Sequence, residues 1–358
     1  MPMRASTLLR RSLFHYWRVN LAVVGGVAVA VAVLAGALMV GASVRSSLRA
    51  LALERLGRTD HAIVGSTFFR DELAAAFQGS APLIALEGFA ADQDSGRRAS
   101  RVQVYAVDER FWALHGIEME PLAPGQAMLS EALAAELGTQ PGRAIVLRVE
   151  QASAIPTESL HGRKDNVGRS LRLDVRQILR RDQLGEFSLS PRQGVVRAVF
   201  VPLVRMRQLL EQPGRANAIV IAGADGGVAA TEQRLRAAAA IEDFGLTVRV
   251  LESQQVLALE SRSTMLSEPL AEASMRTADT LKLVVVPTLT YLANSIRSGD
   301  RAIPYSVITA LDLAVLGLAG PEVRNLEPGA IFLNEWAAND LGASAGDRVS
   351  IERWRSGL

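Results

Sequence analysis

The chain has 358 residues, 49% of them hydrophobic, with 39 Lys and Arg against 37 Asp and Glu and no cysteine. That hydrophobic content excludes a disordered chain and is enough for more than one domain of ordinary size, while the lack of cysteine excludes disulfide frameworks, thiol nucleophiles and thiolate metal sites. A formal net charge of only +2 gives no electrostatic case for nucleic-acid binding.

The first element is an uncharged run from Leu21 to Val44, bracketed by Arg18 and Arg45. As a helix it would span about 36 Å, enough to cross a hydrocarbon core of about 30 Å with some tilt. A cleaved signal peptide would have an apolar core of only about 7 to 15 residues, so the run reads as a permanent anchor. Arg4, Arg10, Arg11 and Arg18 precede it, which predicts a cytoplasmic N-terminus with the rest of the chain outside. Leu8, Leu9, Leu13, Phe14, Tyr16 and Trp17, mixed with these arginines, read either as a short interfacial helix or as an ordinary basic flank. Within the span Gly25, Gly26, Gly36, Gly41 and many alanines would let helix backbones approach closely, so the helix is expected to pack against others in the bilayer.

Beyond the span lies an internal repeat. Met128-Leu-Ser-Glu-Ala-Leu-Ala-Ala-Glu-Leu-Gly138 returns as Phe332-Leu-Asn-Glu-Trp-Ala-Ala-Asn-Asp-Leu-Gly342 at an offset of 204. The offset also pairs Ala106 with Ala310, Asp108 with Asp312, Gly116 with Gly320, Pro124 with Pro328, Gly125 with Gly329 and Gly142 with Gly346. From Arg97 to Leu147 against Arg301 to Ile351 the register holds without a gap, and 15 of 51 positions are identical. Such self-similarity marks a duplicated structural unit. In each copy a β-rich stretch is followed by a Pro-Gly turn and then a helix. Ser130 or Asn334 stands at the N-cap, Glu131 or Glu335 in the first turn and Gly138 or Gly342 at the stop, and a strand follows Gly142 or Gly346. These glycines and acids carry structural roles rather than catalytic ones.

Between the copies, Leu171 to Ile178 alternates as a half-buried strand does, and Val195 to Val201 is an apolar strand ending at Pro202. A helix is predicted from Pro202 to Leu210, a strand over Ala218 to Ala222, an Ala-rich helix over Val228 to Ala240 and a strand over Leu246 to Leu251. Leu281 to Leu292 is apolar but short and interrupted by Pro287, and reads as a buried strand or strand-turn rather than a second span. The organisation expected is a basic interfacial segment over 1–20, a transmembrane helix over 21–44, a first-repeat region over 45–205 and a second-repeat region over 206–358. The fold class is α+β, with one N-terminal transmembrane helix followed by a pseudo-duplicated α+β region.

Val201 to Leu210, Leu289 to Ile296 and Ile303 to Asp312 resemble segments of FtsX-like permeases of ABC transporters, the group with MacB-type and LolC/LolE-type subunits. The basic N-terminus, the span and Gly41 to Leu48 are similar to that family's opening, and Leu137-Gly138-x-x-x-Gly142 to its periplasmic core domain. The resemblance implies a permease subunit of a bacterial inner membrane with its bulk in the periplasm. It would couple ATP hydrolysis by a separate ATPase to export, to extraction of lipid or lipoprotein, or to activation of a periplasmic partner. Implied partners are an ABC ATPase subunit, a second permease subunit and membrane lipids. No phosphate-cradling G-x-x-x-x-G-K-[ST] loop occurs, so the ATPase is expected on another chain. Members of the group carry at least three further membrane helices after this domain, and the chain is expected to be the front part of such a permease. The Glu352-Arg-Trp-Arg-Ser-Gly-Leu358 end reads as the start of a hairpin.

An enzyme is not expected. His15, His61, His115 and His161 are scattered without metal-ligand spacing, and no G-x-S-x-G elbow is present. No catalytic, cofactor-binding or metal-ligating residue is assigned. The basic stretch Arg163, Lys164, Arg169, Arg172, Arg176, Arg180 and Arg181 reads as a solvated strand face or as a surface for anionic headgroups or an acidic partner. The alternatives to a permease are a single-span anchored scaffold or interaction protein, and an anchored periplasmic hydrolase.

Overall fold

A computed structural model describes residues 5–149, 168–191, 194–223, 226–261, 265–312 and 329–352. It is a mixed α+β protein that opens on α1 (Ala5–His15) and α2 (Trp17–Leu56), separated only by Tyr16, which steps out of helical conformation at φ −102° and ψ 21°. α2 runs 40 residues, about 60 Å, twelve residues beyond the end of the expected span at Val44. The extension, Arg45-Ser-Ser-Leu-Arg-Ala-Leu-Ala-Leu-Glu-Arg-Leu56, is rich in strong helix formers, so nothing local stops the helix before Gly57. α2 is long and apolar enough to cross a membrane, with a mean hydropathy of 2.6 over 18 residues, none of them buried in the fold. The Arg18 guanidinium lies 5.6 Å from the Trp17 ring centroid, at the head of that stretch.

The first body contains β1 (His61–Arg70), β2 (Ser80–Asp92), β3 (Arg98–Val107), α3 (Glu109–His115), β4 (Gln126–Ser130), α4 (Glu131–Leu137), β5 (Ala144–Val149), β6 (Arg169–Leu179), β7 (Ala198–Pro202), α5 (Leu203–Leu210) and β8 (Arg215–Ile221). The eight strands order as β1-β8-β2-β3-β7-β4-β6-β5, and β2 pairs again with β5. β2 therefore spends residues 80–83 on β8 and 88–92 on β5, closing β2, β3, β7, β4, β6 and β5 into a ring. Both faces of its central strands are buried. Val104, Leu129, Val199 and Val201 face one core, which α4 and α5 complete with Leu133, Leu137, Leu203 and Met206. Tyr105, Met128, Ala198 and Phe200 face a second core, with Phe111 and Trp112 of α3 and with Phe187. That double burial is why β7 reads as a continuous apolar run, whereas β6 alternates, burying Leu171, Leu173 and Val175. The division expected between 205 and 206 falls inside α5, and β8 beyond it pairs with β1 and β2.

The rest of the chain contains α6 (Gly227–Ala238), a short 3-10 turn Ile241–Phe244, the antiparallel pair β9 (Leu246–Leu251) and β10 (Val256–Ser261), and α7 (Glu268–Thr280). It ends with β11 (Leu289–Ser298), β12 (Arg301–Ala310), α8 (Glu335–Leu341) and β13 (Ser350–Glu352). Asp243 fastens the 3-10 turn to β1, accepting the Arg70 backbone N–H at 3.0 Å and the Arg70 guanidinium at 2.6 Å. Burial pushes its carboxyl up, but the hydrogen bonds from Arg70 outweigh that and hold it below the ordinary carboxylate range. The segment 281–292, expected as a buried strand or strand-turn, is not buried: Leu281, Val284 and Leu289 stand exposed, and only its last four residues enter a strand, which begins at Leu289, after Pro287, which has no N–H to give a ladder.

Two sets of elements have matching geometry. β2 is flanked antiparallel by β3 and β5, and β11 is flanked antiparallel by β12 and β13. Ser130 caps α4 by accepting the Leu133 N–H at 3.2 Å, and Asn334 caps α8 by accepting the Ala337 N–H at 2.8 Å. α4 stops at Gly138 (φ 65°, ψ 30°) and α8 at Gly342 (φ 61°, ψ 29°). Both glycines lie under an arginine, Arg97 and Arg301. Even the unusual positive φ of Arg101 (53°) has its equal in Tyr305 (55°). The paired caps, glycines, arginines and positive-φ residues each stand 204 residues apart. Gly320 and Pro328 of the repeat lie outside the described residues.

Candidate functional site at the foot of the long helix

The last turn of α2 is bolted into the first body by side chains and backbone groups of the stretch between β6 and β7. Arg55 is buried, donating through Nε to Glu186 Oε2 at 3.2 Å and through its Nη2 to the Gly194 carbonyl at 2.9 Å. Its own carbonyl accepts the Ser188 N–H at 3.4 Å. One residue earlier, Glu54 pairs with Arg181 at 2.5 Å. A buried arginine is tolerated only when its donors are met, and here a carboxylate and a carbonyl meet them.

The chain then turns at Gly57, whose φ of 58° and ψ of −124° lie in a region open essentially to glycine. A Cβ there would stand 2.7 Å from His115 Nδ1 and 2.8 Å from Leu184 Cδ2. His115 Nδ1 accepts the Arg58 N–H at 3.2 Å, so the neutral ring carries its proton on Nε2, which has no partner among the described residues. The ring is packed edge-on against Phe111 and Phe187, with centroids 4.7 and 5.6 Å away. Burial, reinforced by the Arg58 charge, pushes its pKa down to about 4 from the ordinary 6.5.

Because the folded ring resists a proton that the unfolded ring takes up near pH 6.5, stability at this joint is full above pH 6.5. It is lost progressively as the pH falls towards about 4. The urea midpoint of the protein is expected to drop across that window, and the drop attributable to this ring should vanish in His115→Gln. A parallel fall in both proteins would show that His115 is not its source.

The other sequence-level candidates do not converge. His15 stacks edge-on against Tyr16, His61 Nδ1 lies 2.9 Å from Thr231 Oγ1, and His161 lies outside the described residues. Of the basic stretch, Arg169 pairs with Glu211, Arg176 with Glu120, Arg180 with Asp182 and Arg181 with Glu54. These arginines are locally neutralised rather than gathered into one cationic face; Arg163 and Lys164 lie outside the described residues. A cleft of about 730 Å³ between α3 and residues 71–80 holds Asp71, Glu72 and Arg110. Asp71 is tied to Arg207 at 2.7 Å and Arg110 to Asp108 at 2.6 Å, so two of its three charged groups already have ion-pair partners. Among the described residues no group of three His, Asp or Glu side chains is placed to hold a metal ion. The joint escaped sequence reading because its partners are far apart in the chain, with Arg55 and Glu186 separated by 131 residues.

No family model and no curated protein sequence matches the chain. Among solved structures it is similar to the periplasmic region of MacB from Actinobacillus actinomycetemcomitans, at 12% identity and a TM-score of 0.31, over 63% of this chain and 95% of that one. It is also similar to the extracellular domain of the noncanonic ABC-type transporter YknZ from Gram-positive bacteria, at 9% identity and a TM-score of 0.30, over 48% of this chain and 86% of that one.

Proposed function

We propose that the chain is a mechanical coupling part of an ABC transporter permease of the FtsX-like kind, with a cytoplasmic N-terminus, α2 crossing the inner membrane, and two copies of one α+β unit outside. The observation that carries this reading is the unbroken course of α2 from its apolar stretch to the buried Arg55. A helix under about 60 Å of continuous hydrogen bonding moves as a rod, and its far end is held by an ion pair, carbonyl contacts and a glycine turn rather than by a loose linker. Movement imposed at the cytoplasmic end would therefore reach the folded body without being absorbed. The matched caps, glycines and strand orders support the duplication. In this reading the ATPase is a separate subunit, a second permease subunit completes the assembly, and the chain itself catalyses nothing.

The test is purification of the full chain from its native membranes in mild detergent, followed by assay for ATP hydrolysis in the purified material. A co-purifying ABC-type ATPase is expected. Its activity should become insensitive to the state of the folded body when two glycines are inserted after Leu56, because the rod is then decoupled. A chain that purifies without any ATP-hydrolysing subunit would instead be a single-span anchored scaffold.

A further inference from the structure

α1 is 11 residues long, and every residue from Leu9 to Val19 is exposed. A helix of that length is marginal in water by itself, so it needs a surface to lie on. Leu9 and Leu13 stand one turn apart on one side of it, 65% and 57% exposed, while Arg11 stands on the opposite side and Arg10 on the flank. Tyr16 interrupts the helical path between α1 and α2, so α1 is not tied to the axis of the long helix.

The position of that surface is set by α2. Its apolar stretch starts just after Trp17 and Arg18, and Tyr16 and Trp17 are 55% and 54% exposed at the level where an aromatic belt lies. One residue separates α1 from α2, so α1 meets the same boundary. The charges indicate what the surface carries. No Asp or Glu occurs ahead of Glu54, and Glu54 is paired with Arg181 in the folded body, so Arg10, Arg11 and Arg18 have no carboxylate in their own stretch. Arg11, Ser12, Phe14, His15 and Tyr16 line one open hollow at the break between the helices. It offers a guanidinium, a hydroxyl, an imidazole and a phenol beside an apolar ring, and a guanidinium can take two phosphate oxygens at once.

We infer that α1 lies in the headgroup layer of the cytoplasmic leaflet and binds anionic phospholipid there, with Arg10 and Arg11 on phosphate oxygens and Leu9 and Leu13 among the upper acyl carbons. The inference rests on the reading of α2 as a span with its N-terminus inside. A neutral bilayer would cover the leucines but leave the arginines without a net counter-charge. An acidic protein would have to displace a bilayer surface that α2 already brings to within one residue of α1. Anionic lipid meets both the apolar and the cationic side.

The test is amide exchange on the full chain in nanodiscs of phosphatidylcholine alone, and of phosphatidylcholine with phosphatidylglycerol in equal parts. Exchange over 9–15 should be slower by more than about tenfold in the mixed discs, since each arginine near an anionic surface is worth about fivefold. Arg10→Gln combined with Arg11→Gln should remove that difference and leave exchange over 21–44 unchanged. Equal exchange over 9–15 in the two discs overturns the inference. So does slowing that survives the double substitution, or that appears only when an ATP-hydrolysing subunit is bound. If 21–44 exchanges slowly in both discs while 9–15 shows no lipid dependence, the lipid site falls and the span stands. If 21–44 exchanges as fast as an exposed helix, both fall.

Discussion

Gly57→Ala is expected to cost about 3 kcal/mol of stability, read as a lowered urea midpoint, and to speed amide exchange in the last two turns of α2. Two costs add. A residue with a Cβ is strained by about 1 to 3 kcal/mol in a conformation of this kind. The methyl group must also displace His115 or Leu184, at 2.7 and 2.8 Å, inside a packed aromatic cluster, which costs a further amount of similar size. His115 cannot yield freely because Phe111 and Phe187 hold its ring and Arg58 uses its Nδ1. Gly214→Ala is the control, since Gly214 has φ +64° and nothing within 4 Å of where its Cβ would stand. It should show only the backbone part, about 1 kcal/mol. Equal losses in the two variants would mean that the crowding at the foot of α2 contributes nothing. A Gly57 loss well above the control would identify this turn as a tightly packed point of the joint.

What the sequence makes legible here is what local rules decide. Ser130, Asn334, Gly138 and Gly342 announce the ends of α4 and α8 because capping is a matter of a few adjacent residues. The alternation of Leu171, Leu173 and Val175 and the apolar run of β7 report how many faces of each strand are buried. The true end of α2 is not visible in hydropathy, which stops at Val44, because the helix continues on propensity and is fixed by Arg55 reaching Glu186. β4 is hidden for a different reason. Its five residues lie between a Pro-Gly turn and a helix cap, and it is a strand only because β6 and β7 flank it. The same pattern at 330–334, without flanking strands among the described residues, forms none. β2 likewise cannot be read as the strand that closes the ring, since only its hairpin partner β3 is near in the chain, and β5 and β8 come from distant stretches. The joint at the foot of α2 belongs wholly to this second, non-local class, which is why its residues do not stand out in the sequence.

Ser130→Ala should be far more damaging than Asn334→Ala, although the two residues are equivalent in the repeat. The Ser130 hydroxyl is buried and accepts two backbone N–H groups, from Leu133 in α4 and from Ala198 in β7. Removing it strands both donors away from water, at about 1 to 3 kcal/mol each, so a loss of about 3 kcal/mol is expected. Asn334 accepts the Ala337 N–H on an exposed helix end, and losing it should cost about 1 kcal/mol, the ordinary worth of an N-cap. Each cost can be followed as the urea midpoint of the full chain, with exchange at α4 and α8 assigning it to its unit. The asymmetry follows from β7, which lies beside β4 and gives the Ser130 hydroxyl a second N–H to accept. Equal losses in the two variants would mean that the Ala198 N–H gains nothing from the Ser130 hydroxyl.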